Sequence, residues 1–442
     1  MERSGNEDAP QTSIRQILGA SFIGTTIEWY DYFLYGTAAA LVFPQLFFPG
    51  SDPLIGTLQS FALFAVGFIV RPLGGIIFGH FGDRVGRKSM LVLSLNMMGI
   101  ATFLIGVLPT YETIGVLAPI LLAVLRTIQG LGVGGEWGGA ALLAVENSPE
   151  DQRGYFGSWP QMGVPAGLFF STVIFFAVSA LPNEQFLSFG WRIPFLLSII
   201  LVGVGLFVRL RLLETPAFSQ VQEEHSEAQM PVIEVIRTYP KNLLLAIGAR
   251  VASDASFYIF AVFVLDYATR GLGVPRGTIL LAVAIASIVE LFTIPAFAML
   301  SDRVGRRPVY MAGAALTLVF AYPYFLLLGT RSAILIVLAS VLGLSVAHAL
   351  MYGPMTAFFS ELFGTRVRYS GISMGYQLSA ILGGGLAPII ATSLVALGGG
   401  DPWPVAAYMA ALCVITLVSV LLTTETFRGG EFSAERRAAE QS

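Results

Sequence analysis

The sequence predicts an all-α polytopic membrane protein of twelve transmembrane helices, arranged as two pseudo-symmetric six-helix bundles. Three observations predict it: an apolar composition, the count of long apolar runs, and loop motifs that recur half a chain apart. Of 442 residues, 55% are hydrophobic and only 12% are charged, against roughly 25% charged in soluble domains. Mean hydropathy is +0.74. Lipid is the solvent in which so much apolar surface is stable. The formal net charge of −3 carries no information about partners, because orientation in a membrane depends on where Lys and Arg sit.

Apolar runs long enough to cross a core of about 30 Å fall at 17–43, 54–79, 89–109, 116–145, 154–180 and 191–209, then at 241–268, 277–300, 308–329, 333–360, 370–397 and 403–424. The first run is preceded by a polar tail and is too long for the apolar core of a secretory leader, so it reads as an uncleaved first span. Internal Gly and Pro are tolerated in such helices. The organisation expected is a tail at 1–16, a bundle at 17–209, a central loop at 210–240, a second bundle at 241–424 and a tail at 425–442. An even number of spans puts both termini on one side. With the N-terminus inside, 18 basic residues face the cytoplasm and 4 face outward, so both termini are expected in the cytoplasm of an inner-membrane protein.

Two motifs recur across the central loop. Gly79–Lys88 reads GHFGDRVGRK, and Leu300–Arg307 reads LSDRVGRR. Each half also carries Glu, six residues, then Arg: Glu146 with Arg153, and Glu361 with Arg368. Motifs at matching spans in each half imply a duplicated bundle, with the symmetry axis along the membrane normal and substrate held between the halves. The gate or latch residues are therefore expected to be Gly79, Asp83, Arg84, Gly86, Arg87, Lys88, Glu146 and Arg153, with Asp302, Arg303, Arg306, Glu361 and Arg368 in the second half. Asp83 and Asp302 suit the positive N-terminus of a neighbouring helix or a basic side chain across the gate. The alternative is that these charges only fix topology.

The repeated DRxGRR/K loops resemble the cytoplasmic loop motif of the major facilitator superfamily. Glu28–Gly36 (EWYDYFLYG), Arg71–Gly75 (RPLGG), Arg126–Gly139 (RTIQGLGVGGEWGG), Trp191–Phe195 (WRIPF) and Glu214–Pro216 narrow the resemblance to the metabolite–proton symporters. Members of that group take up carboxylates, shikimate-like acids and osmolytes such as proline and betaine. The resemblance covers essentially the whole chain and implies proton symport by alternating access. Osmosensing members often carry a long C-terminal coiled coil, whereas about 18 residues without apolar heptads follow the last span here.

An ionisable group in a span costs at least about 2.5–3.5 kcal/mol at the bilayer centre and marks function. Glu28 and Asp31 share one face of the first span; Arg126 and Glu136 lie in the fourth, and Arg71 in the second. Asp31 is the first choice of proton carrier, with Glu28, Arg126 and Glu136 as the other members of the coupling group. In sugar-porter relatives a first-helix Asp pairs with a fourth-helix Arg, and Asp31 and Arg126 match those positions. The competing reading is a structural ion-pair network. Arg71 offers a planar fork for a substrate carboxylate; an Arg in that context has this role in dicarboxylate members. Arg250 either clamps substrate too or neutralises Asp254 one turn away. Glu290 is the charge of the eighth span. His348 either titrates near neutrality or bonds a neighbouring helix. Tyr32, Tyr35, Trp137, Tyr258 and Tyr352 line the pocket or pack the core; a quaternary ammonium substrate would use their faces.

Other chemistries are poorly supported. Gly130, Gly132 and Gly135 match a dinucleotide fingerprint but sit inside a span with no preceding strand, and Gly371–Gly375 (GISMG) opens a span rather than a nucleophile elbow. There is no nucleotide-binding loop, and no His/Cys cluster with metal spacing. The expectation is a transporter without catalytic residues, metal or cofactor. The proton is its coupling ion, its partners are a small metabolite and the lipid bilayer, with no nucleic acid, and a single chain is the working unit. The alternatives are an osmolyte symporter of the proline/betaine type and a polytopic sensor that binds a metabolite without moving it.

Overall fold

The computed structural model describes residues 14–85, 87–134, 137–146, 148–212, 235–237, 239–363 and 368–427. Nine helices among these residues are long and apolar enough to cross a membrane. Two shorter apolar helices, Val92–Val107 and Leu117–Val133, and the 28-residue helix Ile14–Leu41 complete an order of twelve. We number them α1 (Ile14–Leu41), α2 (Pro53–Ile69, continued by Arg71–Val85), α3 (Arg87–Val107), α4 (Leu117–Val133, continued by Trp137–Glu146), α5 (Arg153–Ser179) and α6 (Arg192–Leu212). The second half runs α7 (Pro240–Gly271), α8 (Arg276–Val304), α9 (Arg306–Gly329), α10 (Ala333–Glu361), α11 (Ser370–Leu397) and α12 (Trp403–Leu422). Each begins or ends within a few residues of the apolar runs, because side-chain transfer energy fixes both. Gly86, Glu136, most of the central loop and residues 428–442 lie outside the described residues, as do the surroundings of Gly79 and the side chains of Asp83, Arg84, Arg87, Lys88 and Trp137.

Local chemistry sets the helix ends. Asp52 accepts from Leu54 N at 2.9 Å and Pro53 supplies the first residue of α2, the usual N-terminal combination. Gly305 turns the chain from α8 into α9 with φ +107°, a conformation that costs a glycine nothing. This is why the DRVGRR string needs its glycine. Short π-helical stretches interrupt α7 (Ile259–Phe263 and Tyr267–Gly271), α10 (Val341–His348) and α11 (Ala380–Gly385). Hydropathy contains no signal for them.

The packing repeats with the sequence. In the first half α1 lies on α5 and α6, α3 on α4 and α6, and α2 on α4. The same pairs recur in the second half: α7 on α11 and α12, α9 on α10 and α12, α8 on α10. The halves meet through α5 on α8 and α2 on α11, contacts that exchange with each other when the halves are swapped. Large apolar side chains such as Ile76, Val319 and Leu422 point outward, as a lipid-facing surface requires.

The α2–α4 contact carries the geometry of the site. A Cβ on Gly74 would lie 2.1 Å from Leu131 O, and one on Gly134 would lie 2.0 Å from Arg71 O. Backbone against backbone leaves no side chain to give way. Gly134→Val should therefore lower the thermal midpoint in detergent by a few degrees, the scale of overpacking at about 1–3 kcal/mol, and disturb Arg71. Gly203→Ala, which meets nothing within 4 Å, should leave that midpoint unchanged.

Candidate substrate site and gates

Two arginines of the first half lie in one aromatic box. Arg71 begins the second segment of α2 and is 1% exposed. Its guanidinium carbon lies 4.2 Å from the Tyr32 ring, 4.6 Å from Phe68 and 5.2 Å from Trp29. Its Nε and Nη2 find no hydrogen-bond partner among the described residues. Arg126 lies 4.1 Å from the same Tyr32 ring, 4.3 Å from Tyr35 and 4.9 Å from Phe64. Gly67 makes room: a Cβ there would sit 2.4 Å from Arg126 Nε. Arg126 donates to Phe64 O and, through Nη1, to Gln129 Oε1 at 3.3 Å.

Asp31 does not pair directly with Arg126. Gln129 Nε2 donates to Thr102 Oγ1 at 2.8 Å, Thr102 donates to Met98 O at 2.9 Å, and the Thr102 side chain borders the Asp31 carboxylate. The expected ion pair is thus replaced by a chain, Arg126–Gln129–Thr102, that ends beside Asp31 without a hydrogen bond to it. Thr102 has spent its proton on Met98, so both oxygens of Asp31, buried at 1% exposure, are left without a partner. Gln129 and Thr102 escaped sequence reasoning because neutral polar residues barely register in hydropathy. Glu28 is buried as well, within electrostatic reach of Arg71. Tyr30 of the same motif is structural: its hydroxyl donates to Pro194 O at 3.0 Å, joining EWYDYFLYG to WRIPF.

The second half answers with a neutral group. Arg250 meets Asp254 at 2.8 Å, donates to Tyr376 O at 2.7 Å and stacks 3.2 Å from the Tyr376 ring centre. Asp254 also accepts from Ser379 Oγ at 2.8 Å. Arg250 is thus paired with Asp254 one turn away. Tyr258 packs on Phe68 with ring centres 5.2 Å apart, bringing the halves together at the box. A Cβ on Gly384 would lie 2.7 Å from Tyr258 and 2.9 Å from Phe68, so α11 needs a bare backbone there. Tyr352 lies deeper in α10, where its carbonyl accepts from Gln161 of α5 at 3.1 Å.

The halves are bonded at both faces. On the face carrying the repeated loops, Asp302 accepts from Gly154 N and Tyr155 N, both at 2.8 Å, at the start of α5. This is a carboxylate on a helix N-terminus. Arg306 bonds the same carboxylate at 2.6 Å and reaches Glu361 at 3.5 Å. Glu146 meets Arg368 across the seam at 3.2 Å, so this Glu and this Arg of the repeated spacing partner between halves. Arg153 pairs with Glu150 at 3.3 Å, and Arg303 is exposed. Glu425 caps the start of α9 through Arg306 N and Arg307 N at 3.0 and 3.1 Å. On the opposite face Arg276 donates to Ser179 O, Leu181 O and Asn183 Oδ1 at the end of α5, and Arg270 bonds Thr57 of α2. Their scarcity on that face was the only sequence signal for them.

Two bundles that enclose a buried cation site, with separate bonds across each face, define a membrane transporter. The chain belongs to the major facilitator superfamily: a "Sugar (and other) transporter" model matches residues 17–242 and a "Major Facilitator Superfamily" model matches 245–441. It is 45% identical over 417 residues to the shikimate transporter of Escherichia coli K12, covering 94% of this chain and 95% of that one. It is 44% identical to the inner membrane metabolite transport protein YhjE of the same strain, over 95% and 96%, and 34% identical to its proline/betaine transporter, over 93% and 84%. The structure of a D-xylose–proton symporter shares the fold, with TM-score 0.70 and 19% identity over 94% of this chain and 99% of that one.

The latch has a direct test. In a Cys413→Ser background, removing the buried and only native cysteine, Asp302→Asn should speed alkylation of Thr356→Cys, a position on the α5–α10 seam, by roughly tenfold. That corresponds to one charge-assisted hydrogen bond of about 1.5–3 kcal/mol. An unchanged rate would leave Asp302 a topology determinant only.

Proposed function

We propose that the protein imports a small organic anion across the inner membrane, driven by protons. The observation that carries this reading is the Arg71 guanidinium, sealed between the bundles with two nitrogens unpartnered. A buried guanidinium with unpartnered nitrogens is unfavourable even with Glu28 within electrostatic reach, and a planar carboxylate supplies two parallel acceptors for it. The shikimate transporter at 45% identity is a carrier of such an acid.

The second reading, a proline/betaine-type osmolyte, has a relative behind it and an aromatic box suited to quaternary ammonium. That box already holds two guanidinium groups on the faces of Tyr32. A zwitterion would bring its own cation among them, whereas an anion neutralises the cluster. The balance of charge favours the acid.

In this scheme Asp31 carries the proton. Substrate entering the box draws on Arg71 and Arg126, the Gln129–Thr102 chain rearranges, and the charge state of Asp31 follows the occupancy of the site. The units at 17–209 and 241–424 then rock about the substrate, trading the Asp302 and Glu146–Arg368 bonds on the cytoplasmic face against the Arg276 bonds on the outer face. The distribution of Lys and Arg supports a cytoplasmic position for both termini. One chain holds a whole pathway, needs no cofactor and makes no covalent change in its cargo.

Reconstituted protein under an inward proton gradient should accumulate shikimate or another carboxylate in preference to proline and betaine, and an uncoupler should abolish this. Arg71→Lys should reduce uptake at least tenfold, because an ammonium cannot reproduce the fork. Asp31→Asn should lose gradient-driven accumulation while retaining exchange of labelled for unlabelled substrate. Betaine accumulation that survives Arg71→Lys would favour the osmolyte reading, and intact accumulation by Asp31→Asn would remove Asp31 as carrier.

A further inference from the structure

The second half contains a buried acid–base pair that this scheme leaves idle. Glu290 Oε1 of α8 lies 2.6 Å from His348 Nδ1 of α10, and the two residues are 0% and 2% exposed. Glu290 Oε2 has no partner among the described residues. From these contacts and the position of the pair in the duplicated fold, we propose that Glu290 and His348 form a second proton-binding site, loaded and discharged once per transport cycle. This inference rests on proton-coupled anion uptake.

The repeat gives the pair its meaning. Arg71 stands twelve residues before the motif aspartate Asp83, and Glu290 stands twelve before Asp302. The helix–helix contacts α2 on α4 and α8 on α10 are also equivalent. Glu290 therefore occupies in α8 the register that the anion receptor occupies in α2. One half presents a cation to the cargo, and the other presents a carboxylate at the matching depth.

Local construction holds the pair in place. The π-helical stretch Val341–His348 ends on the histidine, and such stretches are frequent at functional positions. Ser345 in that stretch donates to Ala286 O at 2.6 Å, one turn before Glu290, which fixes α10 on α8. Gly353 permits the approach, since a Cβ there would lie 2.7 Å from Ile294 O. The imidazole stacks on Tyr352, ring centres 5.0 Å apart, and lies 4.9 Å from Phe257. Phe257 in turn lies 5.6 Å from Phe33 of α1, so a single aromatic layer separates the pair from the seam that opens during transport.

The surrounding charges leave the pair to balance itself. From α7 come Arg250 and Asp254, already paired, with Asp254 the charged group that acts on His348. From α9 comes Tyr310, whose hydroxyl is committed to Ala249 O; α10 itself supplies Tyr352, and α5 supplies the neutral Gln161. Among the described residues, His348 is the charged neighbour that acts on Glu290. With one shared proton the pair is neutral, and loss of that proton leaves a single negative charge. The step makes and breaks only an N–H or O–H bond.

The consequence is electrical. A monoanion with one proton crosses without net charge; with two protons it carries one positive charge inward. Substrate-induced charge movement and gradient-driven uptake would be measured on the same proteoliposomes with shikimate as the probe. Wild type should move one net positive charge per shikimate. Glu290→Gln and His348→Gln should keep uptake driven by the pH gradient while the charge per shikimate falls to zero. Electroneutral wild-type transport, or unchanged charge per shikimate in Glu290→Gln, would overturn the second site. If Glu290→Gln is inactive even in exchange, His348→Gln decides by the same criterion. If both are inactive, a reversal-potential stoichiometry of one proton per anion in wild type overturns the proposal, and a stoichiometry of two supports it. Failure of the underlying reading looks different: wild type would show no proton-driven uptake of any carboxylate.

Discussion

A guanidinium removed from water must find a counter-charge, a set of carbonyls or an aromatic face, and the three arginines inside the spans solve this in three ways. Arg250 is neutralised by Asp254 and held against Tyr376. Arg126 spends its donors on Phe64 O and Gln129. Arg71 has only ring faces for two of its nitrogens. The rings offer each cation about 0.5–2 kcal/mol, less than the several kcal/mol needed to desolvate it. The deficit at Arg71 is what cargo can make good. Glycines 67, 74 and 134 bring α2 and α4 into contact so that this cation is held at the seam rather than turned to lipid.

The same physics at the helix ends ties chemistry to motion. Helix α5 carries a partial positive charge at its start and a partial negative charge at its end. One helix of the other half, α8, answers both: Asp302 meets the start and Arg276 meets the end. The pair is stapled at its two extremities, across two different faces of the membrane. Rocking the halves must break one staple while keeping the other, so access at one face is bought with contact at the other.

The spans were legible because about 20 consecutive apolar residues are an energetic necessity in lipid, and the halves because the DRVGR strings survive in both. The site was legible only as a set of charges. Asp31, Arg71 and Arg126 stand out in hydropathy, but Gln129 and Thr102, which lie between two of them, do not. The partner of Glu146 was obscured for another reason. Within each half the Glu–Arg spacing suggests a local pair, while Glu146 binds Arg368, 222 residues away, a contact that depends on how the halves face each other. The π-helical stretches were invisible because one extra residue per turn changes neither composition nor length appreciably.

Duplication explains why a binding site arises at the seam, but function depends on where the duplication has failed. The helix contacts exchange almost one for one between halves, and the loop motifs recur in the sequence. The intramembrane charges do not: Arg71 corresponds to Glu290, and the group of Asp31, Thr102, Gln129 and Arg126 faces a self-neutralised Arg250–Asp254 pair. A perfectly symmetric protein would present the cargo with two identical surfaces, and a carboxylate would then meet cations on both sides. Sequence divergence at a handful of buried positions separates the tasks: in the proposed scheme the first half captures the anion, while the second pairs Arg250 with Asp254 and Glu290 with His348. The scaffold stays symmetric because rocking requires it, and the chemistry is asymmetric because coupling requires that.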